Sequence, residues 1–260
     1  MRLYFKYAAM HLKSIAEYRA SFLMLALGQI LVPFGVFAGM LFLFERFGQL
    51  KGWTLAEVAL LYGVIHLAFA ISECFARGFD TFSSLVVSGQ FDRLLVRPRG
   101  TVVQVLGTKM EFSRVGRMLQ GMVILGWALS RLETVWTPVK AATVLFMVAG
   151  AVCIFFGIYL LTAALCFWTI QGLEVGNVFK DGGREMAQYP LNIYEHWVVK
   201  FFTFVIPFGA VSYLPLLSIL GRAEGPDWLY MLMPLAGALF VLPCLLVWRL
   251  GVRHYRSAGS

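Results

Sequence analysis

Long apolar runs at 21–44, 58–75, 141–170 and 228–248 constrain this chain more than any other feature of it. As a helix, a run of about 18–20 such residues crosses the ~30 Å hydrocarbon core of a bilayer. Lipid offers no partner to a backbone amide, so a spanning segment is a helix or part of a closed barrel, and runs of this length select helices. Composition agrees. The chain is 60% hydrophobic and 14% charged, where a soluble domain has about 45–50% and about 25%. The fold class is therefore all-α integral membrane.

Two further segments complete the expected set. Residues 118–129 are apolar but too few to span alone, so a third span is expected over 105–129, with Lys109, Glu111, Arg114 and Arg117 at one end or facing protein. The run at 197–220 holds Pro207, Gly209 and Pro215. Each proline removes a backbone donor, so a helix ending near Pro207 and a short re-entrant piece fit better than one straight helix. Six spans are expected: 21–44, 58–75, 105–129, 141–170, 197–220 and 228–248. The fourth is longer than a bilayer needs, which predicts tilt. No second domain or repeat is visible, and 1–260 reads as one membrane unit.

Residues 1–20 read as an interfacial helix or as a basic flank of the first span. On a helical projection Arg2, Lys6, Lys13 and Glu17 share a face, opposite Leu3, Tyr4, Phe5, Leu12 and Ile15. The first apolar run is too long for a signal-peptide core, so the N-terminus is expected to be retained. Six spans put both termini on one side. The N-terminal segment, 76–117, 171–196 and the tail with Arg249, Arg253 and Arg256 carry sixteen Lys and Arg; the opposite links carry five. By the positive-inside rule both termini and the 76–104 segment are cytoplasmic.

The chemistry of an enzyme is missing from the pattern. The sequence holds no GxxxxGK[ST], HExxH or GxSxG, so phosphate cradling, zinc hydrolysis and a nucleophile elbow have no carrier. Cys74, Cys153, Cys166 and Cys244 lie in apolar segments without CxxC spacing and read as small hydrophobes. The net charge of +8 is scattered between apolar runs, unlike a nucleic-acid-binding face. His66, near the middle of the second span, is either a substrate or proton site or a hydrogen-bonded packing residue. Glu73 and Arg77 stand i,i+4 and read as an interfacial pair. A Gly35-x-x-x-Gly39 pair in the first span would let another helix approach closely.

One polar island stands out between spans two and three: Gly89-Gln90-Phe91-Asp92-Arg93-Leu94-Leu95-Val96-Arg97-Pro98. Glycine at one end and proline at the other predict a short amphipathic helix. Physics alone makes this a helical turn in a basic loop.

This element, together with Tyr189-Pro190-Leu191-Asn192-Ile193-Tyr194, Ile206-Pro207 and Tyr213-Leu214-Pro215, resembles permease subunits of type-2 ABC transporters, specifically the small permeases without a fused ATPase. The resemblance runs over essentially the whole chain. It implies that Gln90, Phe91, Asp92, Arg93, Leu94, Leu95 and Arg97 form a coupling helix docking on a separate cytoplasmic ABC ATPase. Phe91, Leu94 and Leu95 would be its apolar plug, and Asp92, Arg93 and Arg97 its polar rim. It also implies a dimer with an identical or related permease and two ATPase copies. The chain itself would need no cofactor and hydrolyse nothing; ATP and Mg would sit on the partner. The re-entrant segment would hold Pro207, Gly209 and Pro215. The substrate path would be lined by spans two and five, with His66, Phe69, Phe201 and Phe204 as candidates. The expected function is that of a permease subunit of an ATP-driven exporter in the bacterial cytoplasmic (inner) membrane. The rival from another class is a proton-coupled secondary transporter using His66 and Glu73.

Overall fold

The computed structural model describes residues 2–169 and 172–255. The side chains of Arg2, Leu3 and Phe5, expected on the faces of the first helix, lie outside the described residues, as do Ile170, at the expected end of the fourth span, and Arg256 of the tail. The described residues are helical throughout, joined by turns.

Two helices open the chain, α1 (Arg2–Glu17) and α2 (Arg19–Phe47). α1 lies across the bundle end: Tyr4 donates to the Phe75 carbonyl at 3.2 Å, and the His11 ring reaches the Gly107 carbonyl at 3.4 Å. α3 (Leu55–Asp80) is the central helix, with most of its side chains buried. Its start is a capping box, in which Thr54 Oγ1 accepts from the Glu57 amide and Glu57 Oε2 accepts from the Thr54 amide. It runs beyond the expected 58–75 at both ends.

Three short helices come next: α4 (Phe82–Val87), α5 (Gln90–Leu95) and α6 (Thr101–Thr108). The expected third span, 105–129, is not one helix. Lys109–Glu111 is extended, and α7 (Val115–Arg131) begins after a single tight turn. The physical reason is ionic: the break lets Glu111 reach both Arg77 and Arg114, and the Glu111 amide donates to the Cys74 carbonyl at 3.1 Å. α7 then packs antiparallel on α3, where a Cβ at Gly63 would stand 2.8 Å from Leu125 Cβ.

α8 (Pro138–Leu165) and α13 (Leu235–His254) run side by side, in contact at Gly150 and Gly237. The expected sixth span, 228–248, is divided, since α12 (Asp227–Leu232) ends before Pro234 opens α13. α9 (Gly172–Ala187) falls in what reads as a polar link, 171–196, yet it lies antiparallel along α3. Lys180 meets Asp80, Arg184 covers the Phe69 ring, and Gln188 meets His66. Its charges are bundle residues.

The expected fifth run is bent as the prolines predict. α10 (His196–Phe204) and the segment Gly209–Ile219, which ends in α11 (Leu214–Ile219), make an angle of 83°. Pro207 sits in the break, and Pro215 follows the wider π turn Gly209–Tyr213 that leads straight into α11. Gly209 is required by packing, because a Cβ there would stand 2.6 Å from Thr203 Oγ1.

By length and composition, four helices of the described residues can cross a membrane: Arg19–Phe47, Leu55–Val87, Pro138–Leu165 and Leu235–His254. There are five if the bent pair is one span. The protein is a multi-pass membrane bundle with two unlike ends. One end gathers α1, α4–α6 and the close of α13. At the other, Lys51 donates to the Ile193 carbonyl, Trp53 to Asn192 Oδ1, and Arg222 pairs with Glu57. Tyr189 and Tyr194 of the Y-P-L-x-I-Y stretch flank that contact, and burial pushes the Tyr194 hydroxyl up to about 12.

Candidate functional site

The polar island folds as its end residues demand. Gly89 takes φ 66°, a left-handed conformation that glycine adopts without a side-chain penalty, and the chain turns there from α4 into α5. Six residues later the helix stops short of Pro98. The turn is set in an aromatic socket: the Phe91 ring lies 5.0 Å from Phe82, 5.5 Å from Phe167 and 5.1 Å from Tyr255. Gln104 Nε2 donates to the carbonyls of Leu94 and Arg99, both at 3.0 Å, and Trp248 donates to Thr101 Oγ1 at 3.0 Å. These bonds fasten α5 and the loop after it to α6 and α13.

This geometry divides the expected apolar plug. Phe91 is fully buried and Leu94 is 8% exposed, both inside this chain. They are the root of α5 and not its outward surface. What α5 presents outward is Leu95, 37% exposed, and Val96, 83% exposed, with Gln90, Arg93 and Arg97 around them. Asp92 is half-buried between the two sets. Sequence reasoning misses Val96 as a surface anchor; an amphipathic helix of six residues has too few turns for periodicity to say which apolar side faces in.

The second constellation is a belt of ion pairs where α3 meets α2, α7 and α9. Glu73 Oε2 accepts from Arg117 Nη1 at 2.6 Å and lies 3.6 Å from Arg114 Nε. Gln29 Oε1 accepts from both arginines, at 2.7 and 3.0 Å. Arg77 pairs with Asp80 and, at 2.9 Å, with Glu111; Lys180 Nζ reaches Asp80 Oδ1 at 3.0 Å. The i,i+4 pair of Glu73 and Arg77 exists but is the longest of these, at 3.8 Å. Charges this deep persist only when paired. The belt ties four helices together on the α5 side of the bundle.

Toward the middle of α3 the belt gives way to neutral groups. His66 Nε2 bonds Gln188 Oε1 at 2.9 Å, and its ring stacks on Tyr62 at 3.8 Å. Tyr62 donates to the Pro33 carbonyl at 2.8 Å and accepts from Gln120 Nε2 at 3.1 Å. His66 and Glu73 do not meet. Phe69 lies between them, with the guanidinium groups of Arg184 and Arg117 at 4.8 and 5.4 Å from its ring. Two cations between the two groups are a poor route for a third charge, a proton. The geometry gives the secondary-transporter reading no support.

Of the candidate path residues, His66 and Phe69 are buried in the core of the chain, Phe201 is half-buried against Phe179, and Phe204 is exposed. They do not line one cavity. Arg114 and Arg117, expected at one end of the third span or facing protein, face protein. Arg117 and Lys180 find partners 44 and 100 positions away, which no local spacing marks.

The family model described as "ABC-2 family transporter protein" matches residues 30–259. The chain belongs to the ABC-2 transporter family. No curated protein and no solved structure matches it. This ABC-2 permease therefore carries its family's pattern from the middle of α2 to the tail, and both the α5 socket and all but Gln29 of the ion belt lie inside the matched residues.

Proposed function

We propose that this ABC-2 permease is the membrane subunit of an ATP-driven exporter, working as a dimer on two copies of a separate cytoplasmic ABC ATPase. ATP and Mg belong to that subunit, and this chain hydrolyses nothing. The observation that carries the reading is the α5 socket: a short helix rooted by Phe91 and Leu94, with Leu95 and Val96 outward in a basic rim. A small apolar centre inside a polar rim is the usual anatomy of a docking contact. Movement imposed on α5 passes through Phe91 to Phe167 at the end of α8 and Tyr255 at the end of α13. Nucleotide shifts the cavity between inward and outward access only if the ATPase grips α5 differently in its two states.

Six crossings are part of the proposal: α2, α3, α7, α8, α9 and α13, with 196–219 as a re-entrant hairpin. Support comes from its two ends, since Ile193 accepts from Lys51 and Ile219 accepts from Thr134 at one and the same end of the bundle. The expected 197–220 span becomes that hairpin, and α9 becomes the fifth crossing. The α1 and α5 end is cytoplasmic, in a bacterial inner membrane, by the excess of Lys and Arg there.

The test is co-purification with the ATPase and substrate-stimulated turnover of Leu95→Asp and Val96→Asp. Loss of association by about tenfold or more, in a permease whose own thermal unfolding is unchanged, is expected. Normal assembly and turnover in both variants would sink the coupling role.

A further inference from the structure

The end of the bundle opposite α5 holds a cavity of about 340 Å³, walled by the start of α3, the end of α7 and the end of α11. Its wall is braced. Thr134 Oγ1 donates to the Ile219 carbonyl at 3.1 Å and accepts from Lys140 Nζ at 2.9 Å, which ties the link after α7 to α11. Glu57, 4% exposed, has both carboxylate oxygens engaged, Oε2 by the Thr54 amide and Oε1 by Arg222 Nη2, each at 2.7 Å. The Arg222 guanidinium also lies over the Trp53 ring at 5.2 Å, which fixes its plane, while its side chain stays 46% exposed along the cavity.

Two charges of the lining are left over once Glu57 and Arg222 have satisfied each other. Arg131 closes α7 and Glu133 follows two residues on; both are exposed, and neither side chain has a hydrogen bond or ion pair among the described residues. Leu132 between them is buried and shares the lining with Leu220, which gives the cavity an apolar floor. The site therefore offers open guanidinium donors, one carboxylate and an apolar surface. Guanidinium groups match phosphate oxygens in geometry and charge, and a carboxylate matches an ammonium. A molecule that carries a phosphate and an ammonium on an apolar stem meets all three, whereas a simple anion would leave Glu133 facing it. At the same end Val135, Trp136 and Trp228 are exposed. Exposed indole rings there mark the membrane–water interface, the depth of a lipid headgroup.

We infer that this cavity binds the phosphoethanolamine headgroup of a membrane phospholipid, with the phosphate held by Arg131 and Arg222 and the ammonium by Glu133. The apolar floor selects the lipid over a free zwitterion of the same chemistry, which has no stem to lay on it. The inference rests on the orientation proposed above only for the leaflet, which is then the outer one.

Full-length permease, stripped of lipid in detergent, is titrated with phosphatidylethanolamine, phosphatidylglycerol and soluble glycerophosphoethanolamine, and binding is counted by native mass spectrometry. The expected result is one phosphatidylethanolamine per chain, held about tenfold or more tighter than phosphatidylglycerol, which lacks the ammonium. Arg131→Gln is expected to weaken both lipids about tenfold or more, and Glu133→Gln to weaken only phosphatidylethanolamine, bringing the two within about threefold. Neither side chain has a partner in the fold, so thermal unfolding of both variants is expected to match wild type. A wild-type chain that binds the two lipids alike, or variants that bind as wild type does, overturns the site. Glycerophosphoethanolamine that binds as tightly as the lipid overturns the lipid as occupant. Binding in detergent is indifferent to sidedness, so labelling of position 222 from the cytoplasm would overturn the orientation and the leaflet while leaving the headgroup site in place.

Discussion

Glu73 shows how much a single side chain carries in this bundle. It is the acceptor for Arg117 and lies against Arg114, and the amide oxygen of Gln29 accepts from both arginines beside it. Glu73→Gln removes the charge and strands two guanidinium groups, which is expected to cost about 3–5 kcal/mol. Thermal or denaturant unfolding in micelles reads this directly. His66→Ala deletes one hydrogen bond and a stacking contact and is expected to cost only about 1–2 kcal/mol. A larger loss for His66 than for Glu73 would mean that the polar centre of α3, and not the belt, holds the bundle. Tyr194 makes a separate, pH-dependent contribution. Its folded hydroxyl is held up at about 12 against an unfolded 10.0, chiefly by burial. The neutral form is favoured in the folded chain, so the contribution is complete below pH 10 and is lost as pH rises toward 12. Tyr194→Phe is expected to flatten the stability profile in that window, measured against wild type by unfolding at about pH 8 and about pH 11.

At the scale of elements, α5 separates two effects that one substitution series can resolve. Phe91→Ala empties the socket between Phe82, Phe167 and Tyr255 and is expected to destabilise the permease by about 3–5 kcal/mol. Leu94→Asp buries a charge beside it and has the same character. Leu95→Asp and Val96→Asp touch only the outward surface and are expected to leave unfolding within about 0.5 kcal/mol of wild type. Differential scanning fluorimetry of the four variants distinguishes root from surface. If Leu95 and Val96 behave like Phe91, α5 has no free face.

For the whole molecule, the arrangement of ends is the property to test. A cysteine at Arg97 and one at Arg222 lie at opposite ends of the bundle, and membrane-impermeant thiol reagents are expected to label them from opposite sides of sealed vesicles. Position 200 bears on α9 and α10: in a re-entrant hairpin it stays at span depth, shielded from such reagents on both sides, whereas a link lying in water would label freely. Labelling of 97 and 222 from the same side would refute the six-crossing order. Close packing of α8 on α13 at Gly150 and Gly237 fixes the same architecture from within, since either glycine lies against the backbone of the other helix or the residue opening it.

Sequence alone determined the features that solvent and chain stereochemistry dictate. Apolar runs of 18 or more residues made the chain helical and membrane-spanning. Pro207 broke the fifth run, and Gly89 with Pro98 bounded α5. Each of these depends on residues within a few turns of each other. The tertiary structure decided everything that depends on distant partners. It broke the helix at Lys109–Glu111 because Glu111 had to meet Arg77, and it drew α9 from an apparent loop into the bundle through Lys180, Arg184 and Gln188. It also turned Phe91 and Leu94 inward, so that Leu95 and Val96 remain as the surface of α5. An ion pair or an aromatic socket is assembled from segments far apart in the chain, and local periodicity holds no record of which segments those will be.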